Sequence, residues 1–353
     1  MRLRSLLLAI VATPCLGVSA QAQDPLPGLY FAHGDWELAC DNVGTCRAAG
    51  YQRGADAPIS VLLTRKAGPA QRVNAQLQIG EPADTSEGAQ LPPALTLTLS
   101  LQIDGKHAGS VRAGRTHVAL PSDVLAALVA ALPGTSSIVW TAGKQRWQLS
   151  GEGAAAVLLK MDDFQRRVGT RGALLKPGTA SEAQVRKATA APVVQAARWA
   201  STTPADTRWA AQLAAPLRLA LRASLGQQDN CPALDDAEAQ PLAVRRLDAT
   251  RLLVSSRCWI GSYNTGDGYW VVDQSPQFHP VLVTTSGTDA HEPAITASHK
   301  ERGQGDCRAS DSWTWNGAAF IHTSSATSGL CRMVAAGGAW DLPRIVSDVR
   351  QAR

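Results

Sequence analysis

No Cys-x-x-Cys knuckle, no Gly-x-Ser-x-Gly elbow, no Ser-x-x-Lys pair and no His-Glu-x-x-His motif occurs in this chain. The first absence removes the usual zinc knuckle, and the next two remove common serine-nucleophile signatures. The fourth removes the helical zinc-protease site, in which two histidines one turn apart share a metal. The calcium pattern D-x-[DN]-x-[DN]-G is also missing, although Asp267 and Asp273 flank a Gly-rich turn. Charge of one sign is scarce: 34 Lys and Arg against 29 Asp and Glu leave +5, without a basic stripe for nucleic acid. Phe and Tyr number four each, whereas Trp numbers ten. Many of these rings stand beside cysteines or in hairpins, so each is expected to anchor a small core.

Only the start of the chain carries a long apolar run. Arg2 and Arg4 precede Leu6 to Val11, and Ala20-Gln21-Ala22 follows with small residues. This is the plan of a secretory signal peptide over 1–22, with a core too short for a permanent anchor. Cys15 falls in that discarded leader, because Pro14 precedes it and the expected apolar residue of a lipobox is missing. Loss of Arg2 and Arg4 takes the charge from +5 to +3. The six cysteines that remain, Cys40, Cys46, Cys231, Cys258, Cys307 and Cys331, fall into three close pairs. An even count in an exported chain reads as disulfides, and of about fifteen possible pairings proximity favours neighbours. Loop closure gives roughly 2.5 kcal/mol for the shortest bridge and about 3.5 kcal/mol for each longer one. A sum on the order of 9 kcal/mol rivals the net stability of a whole domain.

The first half alternates with period two. Trp36, Leu38 and Cys40 oppose Glu37 and Ala39; Val73, Ala75, Leu77 and Ile79 oppose Arg72, Asn74, Gln76 and Gln78. Leu95 to Ile103 repeats the pattern, so half-buried strands with one wet face are expected. Asp104-Gly105 and Gly143-Lys144 mark hairpin turns. Two helices interrupt the sheet, one capped by Ser122 and Asp123, the other running from Ala154 to Val168 with Arg166 and Arg167 as last-turn cations. Residues 172–206 shift to Ala, Pro, Thr, Lys and Gly, the composition of a loosely packed linker, with a short helix near Ser181 to Ala188. A helix then starts at Pro216, and strands follow at Leu252–Cys258, Tyr269–Asp273 and Val281–Thr285. Trp313-Thr-Trp315, Asn316-Gly317 and Phe320 to His322 give a hairpin with a type I′ turn. The expectation is a mainly β chain with a few short helices. A β-sandwich-like N-terminal domain fills 28–171, and a smaller antiparallel, disulfide-bonded domain fills 207–353.

Chemistry is thin. Gly151-Glu-Gly153-Ala-Ala-Ala156 has the order of a dinucleotide site, but no second parallel strand follows it. Its small residues are better read as letting a helix lie close to the sheet. His279, His291, His299 and His322 stand near Glu292 and Asp306 in loop-like contexts, without metal spacing. Cys307 would suit a Cys–His pair only if it were unpaired. Asp162 and Asp163 read as a solvated pair. Tyr263, Asn264, Tyr269, Trp270, Trp313, Trp315 and Arg332 gather around two hairpins and offer either a ligand surface or the filling of a small core. No cofactor, metal or catalytic residue is expected.

Gly34 through Tyr51 is similar to a family of secreted bacterial proteins catalogued as domain of unknown function 1176. The likeness continues at Leu149–Ala156, Met161–Arg166, Cys258–Asn264, Trp313–Phe320 and Cys331-Arg332. The N-terminal half also resembles the invasion-associated B proteins. The first resemblance implies a periplasmic or secreted protein of a Gram-negative bacterium, and it implies no activity. Two functions remain open: a non-catalytic binding or envelope module, meeting a glycan, a peptide or an envelope protein, and a hydrolase-like enzyme with a site between the two domains.

Overall fold

The computed structural model describes residues 28–54, 56–80, 97–114, 117–236 and 240–351. The expected leader, Cys15 and the strand residues Leu95 and Thr96 lie outside them. The described chain is mainly β, built from several antiparallel sheets and four α-helices. Among the described residues no helix is long and apolar enough to cross a membrane.

Six strands form the first sheet in the order Leu29–His33, Trp36–Cys40, Cys46–Tyr51, Ile59–Arg65, Asn74–Ile79 and Val118–Ala119. A second sheet orders Gln145–Leu149, Ile138–Ala142, Leu97–Ile103 and Lys106–Ala113. The inward residues of both, among them Trp36, Leu38, Leu63, Leu77, Leu99, Leu101, Trp140 and Trp147, make one core. The Asp104-Gly105 turn has positive φ at both positions (51° and 75°), which is the I′ geometry matching strand twist. Helix α1 (Ser122–Ala131) and helix α2 (Ala154–Phe164) add Val124, Leu128, Val157, Leu158 and Met161 to this core. Ser122 is the first helical residue of α1; Pro121 holds the cap position and no side chain caps it. Gly153 precedes α2 at φ 90°, where a Cβ would collide with the carbonyl oxygen of His33. The Gly-rich motif therefore serves close helix–sheet approach.

The outer face of the first sheet is largely dry over its middle strands, contrary to the alternation, while Asn74 and Gln76 stay exposed as expected. All five residues of Trp36–Cys40 are buried. Leu330, Val334, Ala339, Trp340 and Leu342, from near the end of the chain, pack on Ala39, Ala49, Tyr51 and Leu62. Trp340 donates its indole N–H to the Ser60 hydroxyl at 2.7 Å and stacks on His117. Period two located the faces; a strip of chain far away in sequence decided that both are covered in the middle strands.

The C-terminal half pairs Ala243–Arg246, Arg251–Ile260, Thr265–Asp273 and Val281–Gly287 in one sheet. A second orders Asp289–His291, Ala294–Lys300, Arg308–Trp315, Phe320–Thr327 and Leu342–Ile345. Between them lie Leu253, Tyr269, Val271, Ile295 and Trp315. Helices α3 (Pro204–Gln212) and α4 (Ala214–Ala223) cover the other face of the first of these sheets. There Leu217 and Leu221 meet Trp270, Val272 and the Cys231–Cys258 bridge. Cys40–Cys46 and Cys307–Cys331 are also bonded, so all three neighbouring pairs form.

Residues 172–206 connect the halves and are fastened along the way. The Arg186 carbonyl accepts from Gly68 N–H, and Val193–Ala196 pairs in parallel with Asp348–Gln351. A capping box between Thr203 and Asp206 starts α3 inside the stretch that composition left unstructured. Helix α2 stops at Phe164, short of Val168, because Arg166 adopts φ 56° and turns the chain. Arg167 is thereby buried rather than a last-turn cation, donating to Gln165, Glu182 and the Gly68 carbonyl. Asp162 is fully buried as well, 3.5 Å from Arg65 and accepting the backbone N–H groups of Leu174 and Leu175. It is not half of a solvated pair; its neighbour Asp163 alone faces solvent, beside Lys160.

Candidate functional site

Two cavities meet at one histidine. Strands Arg308–Trp315 and Phe320–Thr327 pair with a bulge between Ser312 and Trp313, which sets Trp313 opposite His322. The two rings stack at 4.9 Å with an interplanar angle of 14°. Their hairpin ends in a four-residue loop closed by Asn316 N–H to the Ala319 carbonyl, with positive φ at Gly317 and not at Asn316. This replaces the expected I′ turn: the Asn316 side chain accepts from Ala318 and Ala319 and holds the wider loop. Arg251 reaches across from the facing sheet, donates to the carbonyls of Gly317 and Ala318, and lies over the Trp315 ring. The hairpin tip is thus fixed against its partner sheet.

Beside that tip the two sheets splay around a cavity of about 450 Å3. Val271, Val283, Trp313 and Phe320 supply an apolar wall, while Asp273, His279 and His322 supply polar edges. His279 Nδ1 lies 2.8 Å from Asp273. Hydrogen bonds from Ser275 and then His279 hold the Asp273 carboxyl below the usual range.

His322 also lines a second cavity, of about 540 Å3, at the seam between the halves. Gly28 and Asn42 come from the first sheet's end, Pro192 and Val194 from the connecting segment, and Asp311, Ser325 and Arg344 from the C-terminal sheet. His322 Nε2 meets Asp311 at 2.9 Å, and Arg344 donates to the Ser325 hydroxyl at 3.1 Å. Burial would raise the Asp311 carboxyl, but hydrogen bonds from His322 and Ser325 outweigh it and keep the group low. Ser325 serves the aspartate rather than the histidine. The arrangement holds charges in place and does not build the serine–histidine contact that activates a nucleophile.

The residues singled out from sequence do not form one patch. Tyr269, Trp270 and Trp315 are core residues, at most 5% exposed. Tyr263 and Asn264 fasten a loop to the backbone of Glu301 and Lys300. Lys300 pairs with Arg308, the opposite end of the strand that carries Trp313 and Trp315. Arg332 forms an ion pair with Asp35 of the N-terminal half at 2.6 Å. Trp313 lines the first of these two cavities, and the other six line neither. The histidines are dispersed too: His291 pairs with Asp289, and His299 meets the Ser286 carbonyl. Cys307 is bonded to Cys331, so it offers no thiolate to a histidine or to a metal beside Glu301. Asp311, Ser325 and Arg344 went unnoticed because three strands contribute them, and only the register of Ser325 opposite Asp311 and Ile345 shows the grouping.

Fold and site together define a disulfide-stapled, mainly β protein with paired sheets in each half and cavities at their junctions. The chain belongs to the family described as "Protein of unknown function (DUF1176)", whose model matches residues 30–347. No curated protein matches it. The crystal structure of invasion associated protein B from Bartonella henselae is similar at 15% identity, over 39% of this chain and 99% of that chain, with a TM-score of 0.26.

Proposed function

We propose that the mature chain is exported to the periplasm of a Gram-negative bacterium and acts there as a non-catalytic binding module of the cell envelope. The observation that carries this reading is the 450 Å3 cavity between the C-terminal sheets. Its size, apolar wall and few polar edges match the general make-up of small-ligand sites. The leader and the three disulfides support an oxidising compartment. The hydrolase alternative gains nothing from the seam cavity, where Ser325 and His322 both attend to Asp311.

Native mass spectrometry of the purified mature protein, incubated with a small-molecule extract of the cell envelope, tests the reading. A bound mass is expected with the wild type and should vanish in Val283→Trp, which fills the cavity. No bound mass at all, or no mass lost on the substitution, rejects the site. Osmotic-shock fractionation tests the compartment: the protein should leave with the periplasmic contents, and retention in the cytoplasmic fraction refutes export.

A further inference from the structure

We infer that the seam cavity is a separate site for a zwitterion, a free aliphatic α-amino acid whose carboxylate meets Arg344 and whose ammonium meets Asp311. Elsewhere the chain brings arginine and aspartate into direct contact, as in Arg246–Asp206, Arg257–Asp267 and Arg302–Asp306. Here it does not. Arg344 forms no ion pair among the described residues and spends one hydrogen bond on Ser325, and Ser325 in turn serves Asp311. Two opposite charges line one cavity with a hydroxyl between them.

Both charges keep bonding capacity. A guanidinium has five N–H donors and an ionised carboxylate accepts about four bonds, so His322 and Ser325 do not saturate Asp311. Asp311, Ser325 and Arg344 sit on three successive strands of one sheet. The Arg344 guanidinium lies 3.1 Å from the Ser325 hydroxyl, and Ser325 stands directly opposite Asp311, so a single hydroxyl separates the charged ends. A molecule with one carbon between its charges can bridge so short a gap, with a hydrogen bond of about 2.9 Å at each end. The apolar lining is Pro192, Val194, Ile321 and Ile345, all aliphatic, which suits a branched aliphatic side chain. The wall is held rigid: Asn42 donates to the Val346 carbonyl at 3.0 Å and accepts the Val346 N–H at 2.8 Å.

Isothermal titration of the mature protein with L-leucine, N-acetyl-L-leucine and L-leucinamide tests the inference. Leucine should bind, and each derivative, lacking one charge, should bind at least about tenfold more weakly, or 1.4 kcal/mol. Arg344→Gln should erase the preference over leucinamide, and Asp311→Asn the preference over N-acetyl-leucine, with Arg344→Lys restoring part of the first. No heat with leucine at millimolar concentration overturns the inference, as does equal binding of all three compounds. The wild-type series decides even where a variant does not fold. Val283→Trp should leave leucine binding intact, so failure here and failure of the binding-module reading are separate results.

Discussion

Replacing Asp162 with alanine should cost far more stability than replacing Asp163, although the two are neighbours on α2. Asp162 is fully buried, with Arg65 at 3.5 Å and two backbone N–H groups on its Oδ2. Removing it leaves Arg65 and Arg167, both buried, with Glu182 as their remaining carboxylate. Breaking a buried charge pair from one side costs about 3–5 kcal/mol, because the stranded charge stays desolvated. Leu174 and Leu175 also lose the acceptor that pins the start of the connecting segment. Burial raises the Asp162 carboxyl despite those two N–H groups and the arginines, so the wild type already pays for holding charge there. That pre-existing strain does not soften the loss, since the cations remain after the substitution. Asp163 is 64% exposed in its side chain and pairs only with Lys160, so Asp163→Ala should shift stability by less than about 0.5 kcal/mol. Urea unfolding followed by tryptophan fluorescence, disulfides intact, measures both. An Asp162→Ala cost under about 1 kcal/mol, or equal costs for the two variants, would refute the buried-network argument, since breaking such a pair costs several times that.

Three further outcomes are expected. Glu37 is buried and accepts from Tyr51, Tyr30 and the Leu330 N–H, with no ion pair among the described residues, and burial raises its carboxyl above the usual value. A raised folded value means its stability contribution is full below the unfolded carboxylate range and is lost as pH rises through the folded value, so Glu37→Gln should gain on the wild type toward neutral pH. A difference between the two that stays flat from acid to neutral pH in urea titrations would defeat this. Opening Cys231–Cys258 as a double serine variant should cost about 3.5 kcal/mol, read from the urea midpoint, and an unchanged midpoint would contradict it. Trp340→Ala should cost about 3–5 kcal/mol and speed tryptic cleavage at Arg332, and a protected Arg332 would show that the strip is held by other means.

Local patterns carried the strands and the bridges. The alternation from Asn74 to Ile79, the Asp104-Gly105 turn and three cysteine pairs close in sequence all fix geometry within a few residues. What distant chain decides was hidden. Glu37 looks like a solvent residue until Leu330 arrives 293 positions later. Asp162 and Asp163 are indistinguishable until Arg65 and the 174–175 backbone select one. The site was hidden for the same reason: His322 was visible as a histidine, but its meaning comes from Trp313, Asp311 and Arg344 on neighbouring strands. Composition could mark 172–206 as lacking a hydrophobic period, but Arg65, Arg167 and Arg246, which hold its Glu182 and Asp206, lie outside it.

The cover over Ala39, Ala49 and Leu62 has a kinetic consequence. It is synthesised 293 residues after Glu37, and at about 5–20 residues per second the sheet waits roughly 15–60 s for it on a ribosome. Until residues 330–342 arrive, Ala39, Ala49 and Leu62 lack the apolar side chains that cover them in the finished fold. A chain cut short before residue 330 would leave that face uncovered for good.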